Sequence, residues 1–185
     1  KRIGNSFDEI ELRGFPRSSE IVLPEMSVTG TENAVMAAVL AKGTTSVHLC
    51  ALEPHVQDLC RFINAMGGDI QGIGTHTLTI NGAKKLRGTT YTITPDYLEA
   101  GTFVLAAVMT KGKVAIRNVQ PHDLDAFWNL LQEMGVQFRI EKNTVYIEPT
   151  RHIKACKRLQ TNVFPGFPTD LQPPFAVLLT QAEGI

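Results

Sequence analysis

Asp170 lies in the run F-P-G-F-P-T-D-L-Q, residues 164–172, and a single carboxylate in so constrained a setting is suited to act as a general base. Pro165 and Pro168 hold φ near one value and bias the residues ahead of them toward extended backbone, while Gly166 permits a sharp reversal. Thr169 followed three residues later by Gln172 has the capping-box pattern, so a helix is predicted to begin near Asp170. The apolar run F-A-V-L-L, residues 175–179, would bury that helix and hold its first turn still. On these residues alone two readings of Asp170 stand: a catalytic base, or an acid that only favours the helix dipole.

The other residue types able to do chemistry are less well placed. Cys50, Cys60 and Cys156 are odd in number and show no C-x-x-C spacing, which argues against a disulfide framework and a zinc site and reads them as reduced, mostly buried hydrophobes. His55 and His122 each follow a proline where an amphipathic helix opens, a shared structural position rather than a catalytic pair. His48, His76 and His152 are scattered without metal-ligand spacing, so no metal is expected. Lys plus Arg equals Asp plus Glu at 18 each, so the chain lacks the basic excess that phosphate neutralisation on a nucleic acid requires. No apolar run approaches the length of a membrane span and no signal peptide opens the sequence, so no membrane partner and a cytoplasmic location are expected.

The elements that must position Asp170 are legible as a repeat. Residues 9–12 and 20–23 alternate like short strands around a Gly14-Pro16 loop. The small-residue stretch S-V-T-G-T-E-N, residues 27–33, ends in Thr31 as an N-cap candidate and leads into an apolar helix over 34–41 that should be covered on nearly every side. Residues 44–50 read as a strand, and Val56, Leu59, Cys60 and Ile63 form the stripe of an amphipathic helix closed by Gly67-Gly68. Strands follow near 69–73, 77–80 and 90–94. The order then recurs: Gly101 leads into an apolar helix at 103–109, and a strand spans 113–118. Leu124, Phe127, Trp128 and Leu131 form a second stripe, offset by one constant interval from Val56, Leu59, Cys60 and Ile63. A third copy starts at Phe175, which answers to Phe103 as Gly184 answers to Gly112. The simplest account is a mixed α/β (α+β) chain of repeated βαβαββ units, divided near Thr94-Pro95, with Asp96 and Glu99 either shaping that division or favouring the next helix dipole. The opening Lys1 and the stop at 183–185, just after a helix, read as the cut ends of a longer protein.

Ser27-Val28-Thr29, the run P-D-Y-L-E-A-G-T-F at 95–103 and F-P-G-F-P-T-D-L-Q occur in the order found in the enolpyruvyl transferases, and from about Glu20 onward the chain resembles that family. The resemblance implies an inside-out α/β barrel, here incomplete, with residues 1–94 closing the first lobe on the UDP-sugar side and 95–185 opening the second lobe with the F-P-T-D motif. It implies transfer of the enolpyruvyl group of phosphoenolpyruvate to the 3-hydroxyl of UDP-N-acetylglucosamine through a tetrahedral adduct that loses phosphate, an early step of peptidoglycan precursor synthesis, with no cofactor. Asp170 then matches the aspartate that takes the hydroxyl proton, and with Ser27, Val28 and Thr29 it belongs to the UDP-N-acetylglucosamine site. The helix start after Ser27 suits main-chain hydrogen bonds to an anion. The family's cysteine loop and the lysine and arginines that grip phosphoenolpyruvate have no counterpart in these 185 residues, so the remainder of its own chain is an expected partner and this piece alone is expected to be inactive. Two alternatives are a transferase acting on shikimate 3-phosphate and a non-catalytic RNA-associated βαβαββ module.

Overall fold

A computed structural model describes residues 16–185 and Gly14, together with the backbone of two short antiparallel strands, β1 (Arg2–Ile3) and β2 (Phe7–Asp8). The strand expected over 9–12 lies outside the described residues. The chain divides into two compact units, Lys1–Cys50 with Leu59–Tyr91, and Ala51–Asp58 with Thr92–Ile185.

In the first unit, β3 (Glu20–Val22), α1 (Val28–Ala38), β4 (Thr44–His48), α2 (Pro54–Ala65), β5 (Asp69–Gln71) and β6 (Thr77–Asn81) follow in the expected βαβαββ order, with α2 shared between the units. The sheet runs β3-β4-β6-β5, parallel between β3 and β4 and antiparallel elsewhere. Its alternation points Val47, Leu78, Ile70 and Ile80 to one face, where Val35 and Ala38 of α1 and Cys60 and Ile63 of α2 cover them. α2 stops where Gly67 turns left-handed at φ +95° and Gly68 N–H reaches back to the Ile63 carbonyl.

In the second unit, α3 (Tyr97–Met109), β7 (Val114–Arg117), α4 (Asp125–Glu133), β8 (Phe138–Glu141) and β9 (Thr144–Ile147) form a three-stranded antiparallel sheet, order β7-β9-β8, under two helices. A 3₁₀ turn over Pro121–Leu124 opens α4, and another over Thr169–Leu171 opens α5 (Gln172–Leu179). Val56, Ile63, Phe127, Trp128 and Leu131 are all buried, as the two stripes predict. Trp128 also donates its indole N–H to the Pro121 carbonyl at 2.8 Å, which removes the cost of burying that donor. α4 ends as α2 does, with left-handed Gly135 and a Val136 N–H to Leu131 carbonyl bond.

Several local expectations are corrected. α1 begins at Val28, and its N-cap is Ser27 rather than Thr31: Ser27 Oγ accepts from Gly30 N–H at 3.1 Å, and Thr31 is buried inside the helix with its hydroxyl on the Ser27 carbonyl. The weak helix formers at 27–31 suggested a turn, but burial of Thr31 and Val35 outweighs propensity there. α3 likewise starts at Tyr97, not near Phe103, because Asp96 caps it by accepting from Leu98 N–H at 2.8 Å and Glu99 N–H at 3.2 Å. No strand forms over 90–94: the Thr94 N–H that a ladder would use goes to Asp58 instead. α1 is covered on one side only, with Met36 half exposed, and Leu40 in the turn just beyond it is half exposed as well. The capping box at Thr169 and Gln172 does not form, and Pro173 and Pro174, which lack N–H donors, occupy the first positions of α5, where donors have no helical partner anyway.

Candidate functional site

Asp170 sits in the 3₁₀ turn Thr169–Leu171, exposed between two anchors that are not. The loop ahead of it closes on itself through an Asn162 N–H to Phe167 carbonyl bond at 2.9 Å and a Gly166 N–H to Val163 carbonyl bond at 2.7 Å, and its Phe164-Pro165 peptide is cis. The Phe167 ring is buried against Phe175, centroids 5.3 Å apart and nearly perpendicular, and against Phe127 at 6.2 Å. The edge-to-face Phe167–Phe175 pair contributes about 0.5–1.5 kcal/mol beyond the burial of area. Leu171, one residue past Asp170, is fully buried against α3 and α5. Phe164, at the start of the loop, meets the Tyr97 ring edge-on at 6.2 Å. The carboxylate is thus held from both sides while its oxygens face solvent, and among the described residues nothing hydrogen-bonds to it. A group so placed can accept a proton from a ligand without first breaking an internal bond.

The surroundings are acidic. Burial pushes the Tyr97 phenol well above its ordinary value, and the charges of Glu53, Asp170, Asp96 and Asp123 push it further in the same direction. Tyr97 therefore stays a neutral hydroxyl throughout the physiological range. In the same unit Asp58, buried on α2, accepts from the Thr94 hydroxyl at 2.5 Å and from Thr94 N–H at 3.3 Å, beside a cavity of about 270 Å³ lined by His55, Thr94, Asp96 and Tyr97 among others. Neither Tyr97 nor Asp58 stands out in the sequence: Tyr97 lies in the run P-D-Y-L-E-A-G-T-F without a distinguishing pattern, and Asp58 is an acid flanking the α2 stripe.

Ser27, Val28 and Thr29 lie together in the first unit, and Asp170 lies in the second. Ser27 caps α1, and the first-turn N–H groups of Val28 and Thr29 have no earlier helical carbonyl to bond, so they point outward as donors. Most of the remaining candidate histidines have structural partners. Pro54-His55 and Pro121-His122 both open helical turns, and His122 Nδ1 lies 3.6 Å from Asp125 of its own helix start. His48 pairs with Glu20 at 3.3 Å, His76 with the Cys50 carbonyl at 2.9 Å and His152 with Glu183 at 2.7 Å. Cys50, Cys60 and Cys156 are free and buried. No group of three or more potential metal ligands occurs among the described residues, and none of their helices is long and apolar enough to cross a membrane.

A family model described as EPSP synthase (3-phosphoshikimate 1-carboxyvinyltransferase) matches residues 9–185. Among curated proteins, UDP-N-acetylglucosamine 1-carboxyvinyltransferase of Coxiella burnetii is 42% identical over 180 residues, 97% of this chain and 42% of that protein. The protein of the same name from Prochlorococcus marinus is 47% identical over 158 residues, 85% of this chain and 34% of its own. Among solved structures, the enolpyruvyl transferase NikO from Streptomyces tendae aligns with a TM-score of 0.73 at 26% identity, covering 84% of this chain and 38% of that one. EPSP synthase from Acinetobacter baumannii, TM-score 0.57 at 22% identity over 89% of this chain and 37% of its own, shares the fold. The chain spans about two-fifths or less of the length of these relatives.

Proposed function

The chain belongs to the EPSP synthase family of enolpyruvyl transferases, and from that premise we propose that it is part of an enzyme moving the enolpyruvyl group of phosphoenolpyruvate to the 3-hydroxyl of UDP-N-acetylglucosamine. Asp170 takes the hydroxyl proton as the sugar oxygen bonds to C2 of phosphoenolpyruvate and C3 gains a proton. The adduct then loses a C3 proton and expels phosphate, leaving the enol ether. Val28 and Thr29 N–H groups, with the Ser27 turn, bind the UDP moiety, so residues 1–94 supply the nucleotide side of the site and 95–185 the base. The cations that hold the phosphate and carboxylate of phosphoenolpyruvate come from the remainder of the protein, which works in the cytoplasm on peptidoglycan precursors. The observation that carries this reading is Asp170 itself: an exposed carboxylate on a turn anchored by buried Phe167 and Leu171, in a chain 42–47% identical to relatives named for this transfer.

The test is Asp170→Asn in the complete protein. Loss of a positioned base lowers kcat by roughly 10²- to 10⁴-fold, while the melting temperature holds because the carboxylate makes no internal bond that asparagine would lose. A kcat within about threefold of wild type, well below the weakest effect of a general base, removes Asp170 from the mechanism and leaves it a helix-start acid. Turnover with shikimate 3-phosphate but not with UDP-N-acetylglucosamine would move the reading to the sister branch.

A further inference from the structure

Gly101 lies inside α3, where glycine is the least favoured residue after proline, and the repeat does not call for it. The cap Ser27 answers to the cap Asp96 at the same offset by which the closing pair Lys42-Gly43 answers to Lys111-Gly112, so Gly101 falls where the first copy carries Glu32. A side chain is compatible with that place in the unit. What differs is the neighbour: a Cβ on Gly101 would stand 2.6 Å from Leu171 Cδ1 and 3.1 Å from Cδ2. Leu171 is fully buried in the core formed with α3 and α5, so methyl groups that turn aside press on close-packed neighbours and part of the adjustment falls on the turn that carries Asp170. Tyr97, four residues earlier and so on the same face of α3, packs its ring edge-on against Phe164 at the other end of the loop.

We infer that Gly101 is a positioning residue for Asp170: its missing side chain lets Leu171 seat against α3, and with Tyr97 holding Phe164 one helix face sets where the carboxylate stands. This rests on the role proposed for Asp170. Several tenths of an ångström of displacement is enough to matter, since a misplacement of about 1 Å can cost about 100-fold in rate.

The experiment uses the complete protein and four variants assayed with phosphoenolpyruvate and UDP-N-acetylglucosamine: Gly101→Ala, Leu171→Val, both together, and Asp170→Asn. For a folded Gly101→Ala the expectation is a kcat lower by roughly 10- to 100-fold, KM for the nucleotide sugar within about threefold, and recovery of most of the loss in the double variant, because valine withdraws the clashing methyls. A clash that only weakens packing would lower the melting temperature of Gly101→Ala and leave kcat per folded molecule unchanged. If Gly101→Ala does not fold, a folded and active double variant supports the inference, and a double variant that also fails to fold overturns it. A folded Gly101→Ala with unchanged kcat, or a loss that Leu171→Val does not relieve, overturns it too. Should Asp170→Asn retain turnover, the functional reading itself fails; should Asp170→Asn lose turnover while Gly101→Ala keeps it, only the positioning role falls.

Discussion

Leu49 holds a left-handed backbone at φ 60°, immediately after β4, and at the matching point of the second copy Asn118 holds the same φ immediately after β7. In both copies the next residue bonds across, Cys50 N–H to the His76 carbonyl and Val119 N–H to the Asn143 carbonyl, so the turn needs that conformation whatever residue supplies it. Asparagine tolerates it and leucine does not, at about 1–2 kcal/mol for an ordinary L-residue. Leu49 is 40% exposed, so little burial is lost on replacing it. Leu49→Asn should therefore raise stability by about 0.5–1 kcal/mol, read from the midpoint of chemical denaturation; an unchanged or lower midpoint would show that the leucine contributes packing worth more than the strain. Cys60 carries a pH prediction. Burial, then the neighbouring Cys50, raises its thiol from 9.0 to about 11, with Arg61 opposing. A folded-state value above the unfolded one means the contribution is fully present below about pH 9 and drains away as pH rises toward 11, because the unfolded chain sheds its proton first. Thermal melts followed from pH 8 upward through that window should fall more steeply for wild type than for Cys60→Ala.

At the scale of elements, the two copies share their helix endings: left-handed glycines at 67 and 135 each follow a stripe of buried residues, and the ending at Gly67 was placed from the sequence. Their apolar helices begin more than one turn earlier than composition suggests, because a cap is a hydrogen bond and not a composition. Asp96 was readable either as part of a division between halves or as a first-turn acid; two main-chain bonds to its carboxylate make it the cap of α3. Asp96→Ala should cost about 1 kcal/mol in stability and Asp96→Ser much less, the usual margin for an N-cap. Equal losses for both variants, measured by denaturant titration, would mean that Asp96 acts through its charge on the dipole of α3 rather than as a hydrogen-bonded cap.

For the whole molecule, the apolar sides of α1, α3 and α5 are only partly covered: Met36, Phe103 and Val177 are each half exposed or more. The chain also spans 42% of a relative that is 42% identical to it. The purified 185-residue chain is expected to fold yet release no phosphate from phosphoenolpyruvate and UDP-N-acetylglucosamine, since phosphoryl recognition needs several converging cations. Phosphate release above the enzyme-free rate would contradict the division of the site proposed above.

Periodicity sufficed for the repeat, the buried stripes and the order of strands and helices apart from the strand expected over 90–94, because hydrophobic spacing is a local record of which face an element buries. The F-P-T-D motif was likewise visible, since proline and glycine restrict or free φ wherever they stand. Which residues hold that motif was not. Whether Thr94 joins a ladder or bonds Asp58, whether Ser27 or Thr31 caps α1, and that Gly101 must lack a side chain for Leu171 to seat, depend on groups meeting at close range in three dimensions. Such meetings leave no period in the sequence, and only the packed tertiary structure decides them.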